Sequence, residues 1–527
     1  MIISIIHISF NATVIARQPS PNWSRGFQVA TEPFTRDVIA DITEEGDIVI
    51  LTPVKEGKDA LNIIKLNKDM EKVDEYTASI EKFNINQISL NDVLFVKGRL
   101  YWRDNKENIL YTSVLDYENK KFTEVKILQE NVLDFDVTDN GAFLAVVFFD
   151  NKVSLYENVQ GKYNECISPS MLDNVQIVNI KFHNDVVYLQ LAVYNNENMK
   201  KEVYISEYKD NRWSEPIYMT SLIEVKNYIK DMELAIDKDY IYSISSVQGD
   251  DKTTFTYIIN GYNRQTKELF PESKAKWAID LKVQEFSSIP VMFDSDDVGV
   301  TIFTTAPNNL DIRVDNSNVI KLKLTREGFE EAELVSNTKK WSNQVAVLRN
   351  NNTDYVFWKE SGGFGSTIIM GTSNNYNVIS RYANITAEDV KMAVQEEIPY
   401  LFNLIIVLVG ARLFNAFPAI IWLLCMFMMY NKIEKRYYFY LFIGMGIYLV
   451  SQVISMDFYY SKSYLMPELL TINSVKYLIP FVFAILAALF AFLYKKESDE
   501  PQSYKVYTVY LVYFHIMINY LFIPFLF

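Results

Sequence analysis

The sequence predicts an all-β domain built from about seven repeats, followed by an α-helical transmembrane block of about four helices. Three observations predict it. Between Trp23 and about Arg381 helical periodicity is almost absent, and short runs of β-branched and aromatic residues alternate with Asn, Asp and Gly turns. Those runs recur at intervals of 40 to 57 residues. From Ile398 onward the chain turns apolar, and up to Tyr430 only Arg412 is charged, a stretch longer than the ~20 residues that cross a bilayer once.

A chain of 527 residues exceeds one ordinary core, so at least two domains are expected. It carries 51 Lys and Arg against 65 Asp and Glu, of which only 9 and 6 lie from Ile398 to the end. The acidity therefore belongs to the part before Ile398, and an acidic surface repels phosphate backbones, which argues against nucleic acid as a partner. Cys166 and Cys425 are the only cysteines. The second sits in an apolar run, so no disulfide framework is expected, which suits a bacterial envelope protein better than an animal surface protein.

The opening residues, MIISIIHISFNATVIA, are mostly apolar and end on the small-residue pattern Val14-Ile15-Ala16, ahead of the turn-rich Gln18-Pro19-Ser20-Pro21-Asn22. Residues 1–17 are expected to be a signal peptide without its basic leader; the alternative is a buried β-strand.

The β repeat consists of an acidic or Asn-containing turn, a strand, a polar hairpin and a second strand. It is found at Asp41 (DITEEGDIVIL), Val96 (VKGRLYW), Asp136 (DVTDNGAFLAVV), Phe182 (FHNDVVYLQL), Ile236 (IDKDYIYSI), Phe293 (FDSDDVGVTIF) and Val347 (VLRNNNTDYVFW). Periods near 40–50 residues with about four strands each are what β-propeller blades require. The region resembles the degenerate propellers of the WD-repeat, kelch and TolB-like superfamilies, with seven blades the best count. The Gly-His and Trp-Asp pairs of WD repeats and the Gly-Gly pairs of kelch repeats are absent, so the resemblance carries over no functional residue. An irregular array of two-sheet sandwiches is the alternative. Trp23–Thr31 is expected to close the ring by pairing with strands near Val378–Tyr382.

Thr386 and Asp389 read as the start of a stalk helix, Thr386 as N-cap, running to about Glu397, with a bend at Pro399. Tyr400–Gly410 is expected at the membrane interface. Crossings are predicted at Leu413–Tyr430 (kinked near Pro418), Tyr437–Met456, Tyr477–Tyr494 and Val506–Phe527, flanked by tyrosines. Lys432, Lys435 and Arg436 in one loop, and Lys495, Lys496 and Lys505 around another, place both loops in the cytoplasm by the positive-inside bias. Asp457–Lys476 and everything before Ile398 then face outward. His515, one turn from Asn519, reads as a helix-packing hydrogen bond rather than a proton or substrate site. Ala484, Ala487, Ala488 and Ala491 form small-xxx-small pairs suited to close packing inside the bundle or, through Ala484, Ala488 and Ala491, against a membrane-protein partner.

Catalytic motifs are missing. The three histidines, His7, His183 and His515, lie in three regions and only His183 falls in the outward domain, which argues against a His-based metal site or a Ser-His-Asp triad there. Gly362-Gly363-Phe364-Gly365-Ser366 lacks the Lys and the helix of a phosphate cradle and reads as a hairpin loop. Asp134, Asp136, Asp139 and Gly141 miss the EF-hand spacing and read as a blade turn. A carboxylate pair for glycan hydrolysis cannot be singled out among so many acids. Aromatic residues such as Tyr101, Trp102, Tyr188, Tyr242 and Trp358 are expected between blades. The sequence thus nominates no catalytic, cofactor-binding or metal-binding residue and no cofactor. Its domains are 1–17, an extracytoplasmic propeller at 18–385, a stalk and interfacial helix at 386–412, and a transmembrane domain at 413–527. The expected role is a membrane-anchored binding or scaffold protein for an envelope protein or polymer. The alternatives are a membrane-tethered glycan hydrolase and an accessory subunit of a transport or export system.

Overall fold

In the computed structural model all residues are described except 1, 33–37, 55–58, 85–87, 89–91, 167–171, 224–226, 250–254, 275, 280–281, 308–316, 339–340, 364–365, 388, 396–412, 430–433, 461–469, 471, 499–501 and 527. The chain divides into two units. One is Gln18–Ala383; the other joins Met1–Arg17 to Asn384–Phe527.

Gln18–Ala383 is a seven-bladed β-propeller. The first strands of successive blades are Ile39–Ile42, Val93–Val96, Val132–Val137, Val175–His183, Asn227–Ile236, Val291–Phe293 and Ser342–Asn350. Each touches the next, and the seventh touches the first, so these strands form a closed ring around the channel. Every blade is antiparallel, and in the first six the strands step outward in sequence order. The seven sequence recurrences all fall on these first strands and the hairpins that leave them. The hairpins depend on residues that tolerate positive φ. Lys97 and Gly98 (φ 52° and 70°) turn the second blade, and Asn184 and Asp185 (φ 48° and 61°) turn the fourth, as two-residue hairpin loops require.

The core is divided among the seven blade-to-blade interfaces. Trp102 packs with Val49 and Leu61 between the first two blades, and Tyr101 with Phe135 and Leu144 between the next two. Trp358, Phe303 and Val319 fill the sixth interface. A second strand lies between two neighbouring blades and is buried on both faces, as Val186–Val193 is throughout its length, whereas the outer strand Lys72–Ser79 is mostly exposed. Alternation between apolar and polar residues is therefore weakest where burial is greatest.

The seventh blade takes its outermost strand from the start of the domain. Phe27–Glu32 pairs antiparallel with Ser366–Ser373, which closes the ring and covers an edge. The expected partner, Val378–Tyr382, is instead part of the helix Tyr376–Tyr382, because Asn375 caps it by accepting from the Asn377 amide at 2.8 Å. Val378 is buried under the blade and Tyr382 stacks on Phe27 at 4.4 Å.

The second unit is helical. Ile2–Ile15 is an α-helix, not the β-strand considered as the alternative to a signal peptide. Thr386 and Asp389 form a reciprocal cap: the Thr386 amide donates to Asp389 Oδ2 at 2.6 Å, and the Asp389 amide to Thr386 Oγ1 at 3.4 Å. Residues 389–395 are helical, while Pro399 and Tyr400–Gly410 fall outside the described residues. Further helices are Leu413–Met428, Tyr437–Ile454, Met456–Tyr459, Asn473–Glu497 and Ser503–Leu526. Among the described residues, two of them, Tyr437–Ile454 and Asn473–Glu497, are long and apolar enough to cross a membrane; Ala416–Met428 is apolar but shorter. The last helix differs from an ordinary span. It carries Tyr504, Tyr507, Tyr510, Tyr513 and Tyr520 and is the hub of the unit, touching every other helix of at least fourteen residues. Ala487 and Ala491 are fully buried in the core of the unit, with Ala484 and Ala488 packed against it.

Candidate functional site

The propeller's unusual chemistry lies along its channel, on and beside the first strands of its blades. Asp136 illustrates how the fold places it. Its Oδ1 accepts from the next amide, Val137, at 2.8 Å, while Oδ2 accepts from the Ile180 amide of the fourth blade at 2.8 Å and from Asn179 Nδ2 at 3.0 Å. Asp134, two residues earlier and on the same face of the strand, accepts from the Val178 amide at 2.9 Å. Asp41 makes the same link between the first two blades, taking the Gly98 amide at 2.8 Å. Asp237 takes the Gly299 amide at 2.6 Å and the Tyr242 hydroxyl at 2.9 Å. These carboxylates join one blade to the next.

Lys181 lies at the centre of the cluster. It is 9% exposed, and its Nζ meets Asp139 Oδ2 of the third blade at 3.1 Å and donates to the Met292 carbonyl of the sixth at 3.2 Å. Glu233, from the fifth blade, accepts from the Met292 amide at 3.4 Å. Asp294 Oδ1 accepts from the Ile236 amide at 2.9 Å, and its Oδ2 lies 3.3 Å from His183 Nδ1. His183 Nε2 is 2.8 Å from Asn184 Nδ2. An amide donor at Nε2 leaves the proton on Nδ1, facing the carboxylate. Arg103 adds a second cation, bound in bidentate fashion to Asp92 with both contacts at 3.1 Å and donating to the carbonyls of Val132 and Leu133.

Burial governs how these groups titrate. It pushes Asp134 up to about 8, against the Val178 hydrogen bond and with the Asp136 charge. It pushes Asp136 up to about 7, against the Ile180 and Val137 amides, and Glu233 up to about 8 despite the nearby Lys181. Burial also works against the charge on Lys181, but Asp139, Asp294 and Glu233 outweigh it and hold the ammonium above its ordinary range. Carboxyls that ionise near neutrality are suited to proton transfer. Here each also accepts a backbone amide, which ties it to the frame.

The sequence-level candidates distribute as follows. Asp134 and Asp136 join the cluster, Asp139 reaches it from an exposed turn, and Gly141 shapes that turn with φ 70°. Among the described residues no group of three or more His, Cys, Asp or Glu could hold a metal ion. The strands flanking Phe364 and Gly365 pair in a hairpin with Gly363 opposite Ser366; the two turn residues lie outside the described residues. In the helical unit, the Tyr448 hydroxyl meets His515 Nδ1 at 2.6 Å, Asn519 Nδ2 donates to the His515 carbonyl at 2.8 Å, and the Tyr459 hydroxyl donates to Asn519 Oδ1 at 2.9 Å. His515 thus serves interhelical packing. Sequence reasoning did not single out Lys181, Glu233, Asp294 or Arg103. The available signal was a charge inside an apolar first strand, as in VNIKFH and MELAI, where buried strands seldom place one.

No family model matches the chain, and no curated protein does. Solved structures that match include one described as the crystal structure of polysaccharide lyase Uly1. It is 8% identical, with a TM-score of 0.43, over 69% of this chain and 95% of that one.

Proposed function

We propose that the protein is a membrane-anchored β-propeller that binds or scaffolds an envelope protein or polymer on the outer side of the membrane. One observation carries the choice of binding over catalysis: the channel's carboxylates accept backbone amides of neighbouring blades, as Asp136 does from Ile180 and Asp41 from Gly98. Groups so used hold the ring in shape and leave the blade loops to recognise a partner through several dispersed contacts.

Anchoring is supported by the apolar surfaces of the helical unit. Tyr437–Ile454 and Asn473–Glu497 are only 28% and 22% buried over their apolar windows, and Phe439, Phe442, Ile485 and Leu489 all point outward. Faces of that kind need lipid or protein cover. The basic loops set the orientation. Cysteines placed at 432 or 496 should resist an impermeant thiol reagent in intact cells, while one at 463 should react; the opposite pattern would invert the topology and remove the outward propeller. The decisive test is capture of a partner by the intact protein extracted in detergent, with loss of capture only after several loop substitutions are combined.

A second reading, an envelope glycan hydrolase, is favoured by the raised values of Asp136 and Glu233. Glu233→Gln or Asp136→Asn in a correctly folded protein would then abolish turnover of an envelope glycan, whereas the binding reading expects neither substitution to remove partner capture.

A further inference from the structure

We infer that the helix Ile2–Ile15 is a permanent member of the helical unit, docked on its last helix, so that the propeller is tied to that unit at both ends. This conflicts with a leader removed after Ala16. Two observations, one in each unit, carry it.

Within the helical unit, Ile2–Ile15 packs against Ser503–Leu526. The contact has helical periodicity. Asn11, Ala12 and Ala16 are 0%, 1% and 7% exposed, Ile8 and Ile15 are half-buried, and Ile5, Ser9 and Thr13 are exposed. Positions 8, 11, 12, 15 and 16 form a single stripe at the spacing of a helix with one packed face. Small residues at 12 and 16 let the backbones approach closely, and Asn is a residue type that joins helices across a membrane interface. The helical hydrogen bonding continues to the expected cleavage point, with the Ala16 amide donating to the Ala12 carbonyl at 2.9 Å. A buried, helical residue is a poor protease substrate, since cleavage concentrates at exposed, loosely held chain.

Within the propeller, the chain enters and leaves at one place. Gln18 Nε2 donates to the Ile379 carbonyl at 3.3 Å, and the Ser24 amide to the Ser373 carbonyl at 3.1 Å. Ser24 Oγ pairs with Thr372 Oγ1 at 2.8 Å, and Arg25 lies over the Tyr382 ring. Ring closure therefore brings the two ends of the propeller, Gln18–Arg25 and Thr372–Tyr382, side by side. Placing the docked helix in a bilayer rests on the proposed anchoring; the packing itself does not.

The test is the N-terminus of the mature full-length chain, purified from membranes through a C-terminal tag and digested with chymotrypsin for mass spectrometry. A peptide that runs through Arg17 into Gln18 is expected, and a mature terminus at Arg17 or later would overturn the inference. Thermal unfolding in detergent supplies a second measure. Ala12→Trp should lower the midpoint by several degrees while Ile5→Trp, on the exposed side, leaves it in place; equal midpoints would also overturn it. Carbonate extraction reads the anchoring separately, because release of the wild-type chain into the soluble fraction would reject the membrane reading whatever its N-terminal mass.

Discussion

The propeller channel and the helical unit both bury polar side chains, but of different kinds. The channel holds charges: Lys181 against Asp139 and Asp294, and Arg103 against Asp92. The interior of the helical unit uses neutral groups, with Tyr448 on His515, Tyr459 on Asn519, and Tyr507 donating to the Gly444 carbonyl at 3.0 Å. The difference follows from the surroundings. In the channel an ion is offset by opposite charges and by amide donors from the next blade. Between helices read as facing lipid no such compensation is at hand, and only groups that hydrogen-bond without a net charge are tolerable. A charge buried in the propeller should therefore be expensive to remove, and a hydroxyl in the bundle cheap.

The largest expected effect is at Lys181. Lys181→Met keeps the apolar stem and deletes the charge that Asp139 and Asp294 face. Breaking a buried ionic contact from one side costs about 3–5 kcal/mol, and denaturant unfolding of the intact protein in detergent should show a loss of that order in the β transition. A loss below about 1 kcal/mol would mean that the cluster is hydrated and the ammonium unimportant to the ring.

The next effect is a pH dependence that sharpens the same contrast. Asp134, Asp136 and Glu233 have folded-state values raised to about 8, 7 and 8, above those of the unfolded chain. The folded state then holds more protons than the unfolded state between the two sets of values, and stability falls as pH rises through that window. The propeller transition should melt higher at pH 5.5 than at pH 8.5. Glu233→Gln, fixed in the uncharged form, should flatten the profile and raise the midpoint at the alkaline end. A midpoint that climbs with pH would show these carboxyls ionised and stabilising. The helical transition, whose named interior pairs hold no carboxyl, should move less over the same range.

How far the sequence foretold this contrast depends on which physical signal carries each part. The blade hairpins were legible because Asn, Asp and Gly must occupy positions such as Asn184-Asp185 and Lys97-Gly98, where the chain turns with positive φ. The count of seven followed from the spacing of those turns. Ring closure was legible as a need, since a propeller cannot leave its edge open, but the partner was not. Val378–Tyr382 is apolar and aromatic like a strand, and only Asn375 one turn earlier marks it as a capped helix. The channel cluster was the least legible part. Lys181 and Asp139 stand 42 residues apart, and their pairing exists only because two blades bring their first strands together. In the helical unit, hydropathy located Tyr437–Ile454 and Asn473–Glu497 closely, yet it gave no hint that the Tyr-rich last helix would be the hub, because packing is not written in apolarity.

Tyr448→Phe should give a smaller change. It deletes the hydroxyl that meets His515 Nδ1 and leaves the ring against Phe514 at 5.0 Å. Hydrogen bonds between membrane helices are worth about 1 kcal/mol or less, so the helical transition should shift by that amount and the β transition not at all. A loss approaching that of Lys181→Met would erase the distinction between the two interiors.

The smallest effect is expected at His183, which lies in the charged cluster and has a partner on each ring nitrogen. Asn184 Nδ2 lies 2.8 Å from Nε2 and Asp294 Oδ2 lies 3.3 Å from Nδ1, so the ring serves as a linker between the fourth and sixth blades. Asp294 keeps the Ile236 amide if the ring is removed, and the deletion leaves no uncompensated cation behind. One net hydrogen bond is worth about 1 kcal/mol, and His183→Ala should lose that much stability and retain partner capture in full. A stable, correctly inserted His183→Ala protein that is wholly inactive would reverse the reading of the channel. The ring would then be doing proton chemistry with Asp294, the tethered hydrolase would displace the scaffold, and the amide links from the carboxylates would serve to position reacting groups rather than to hold blades together.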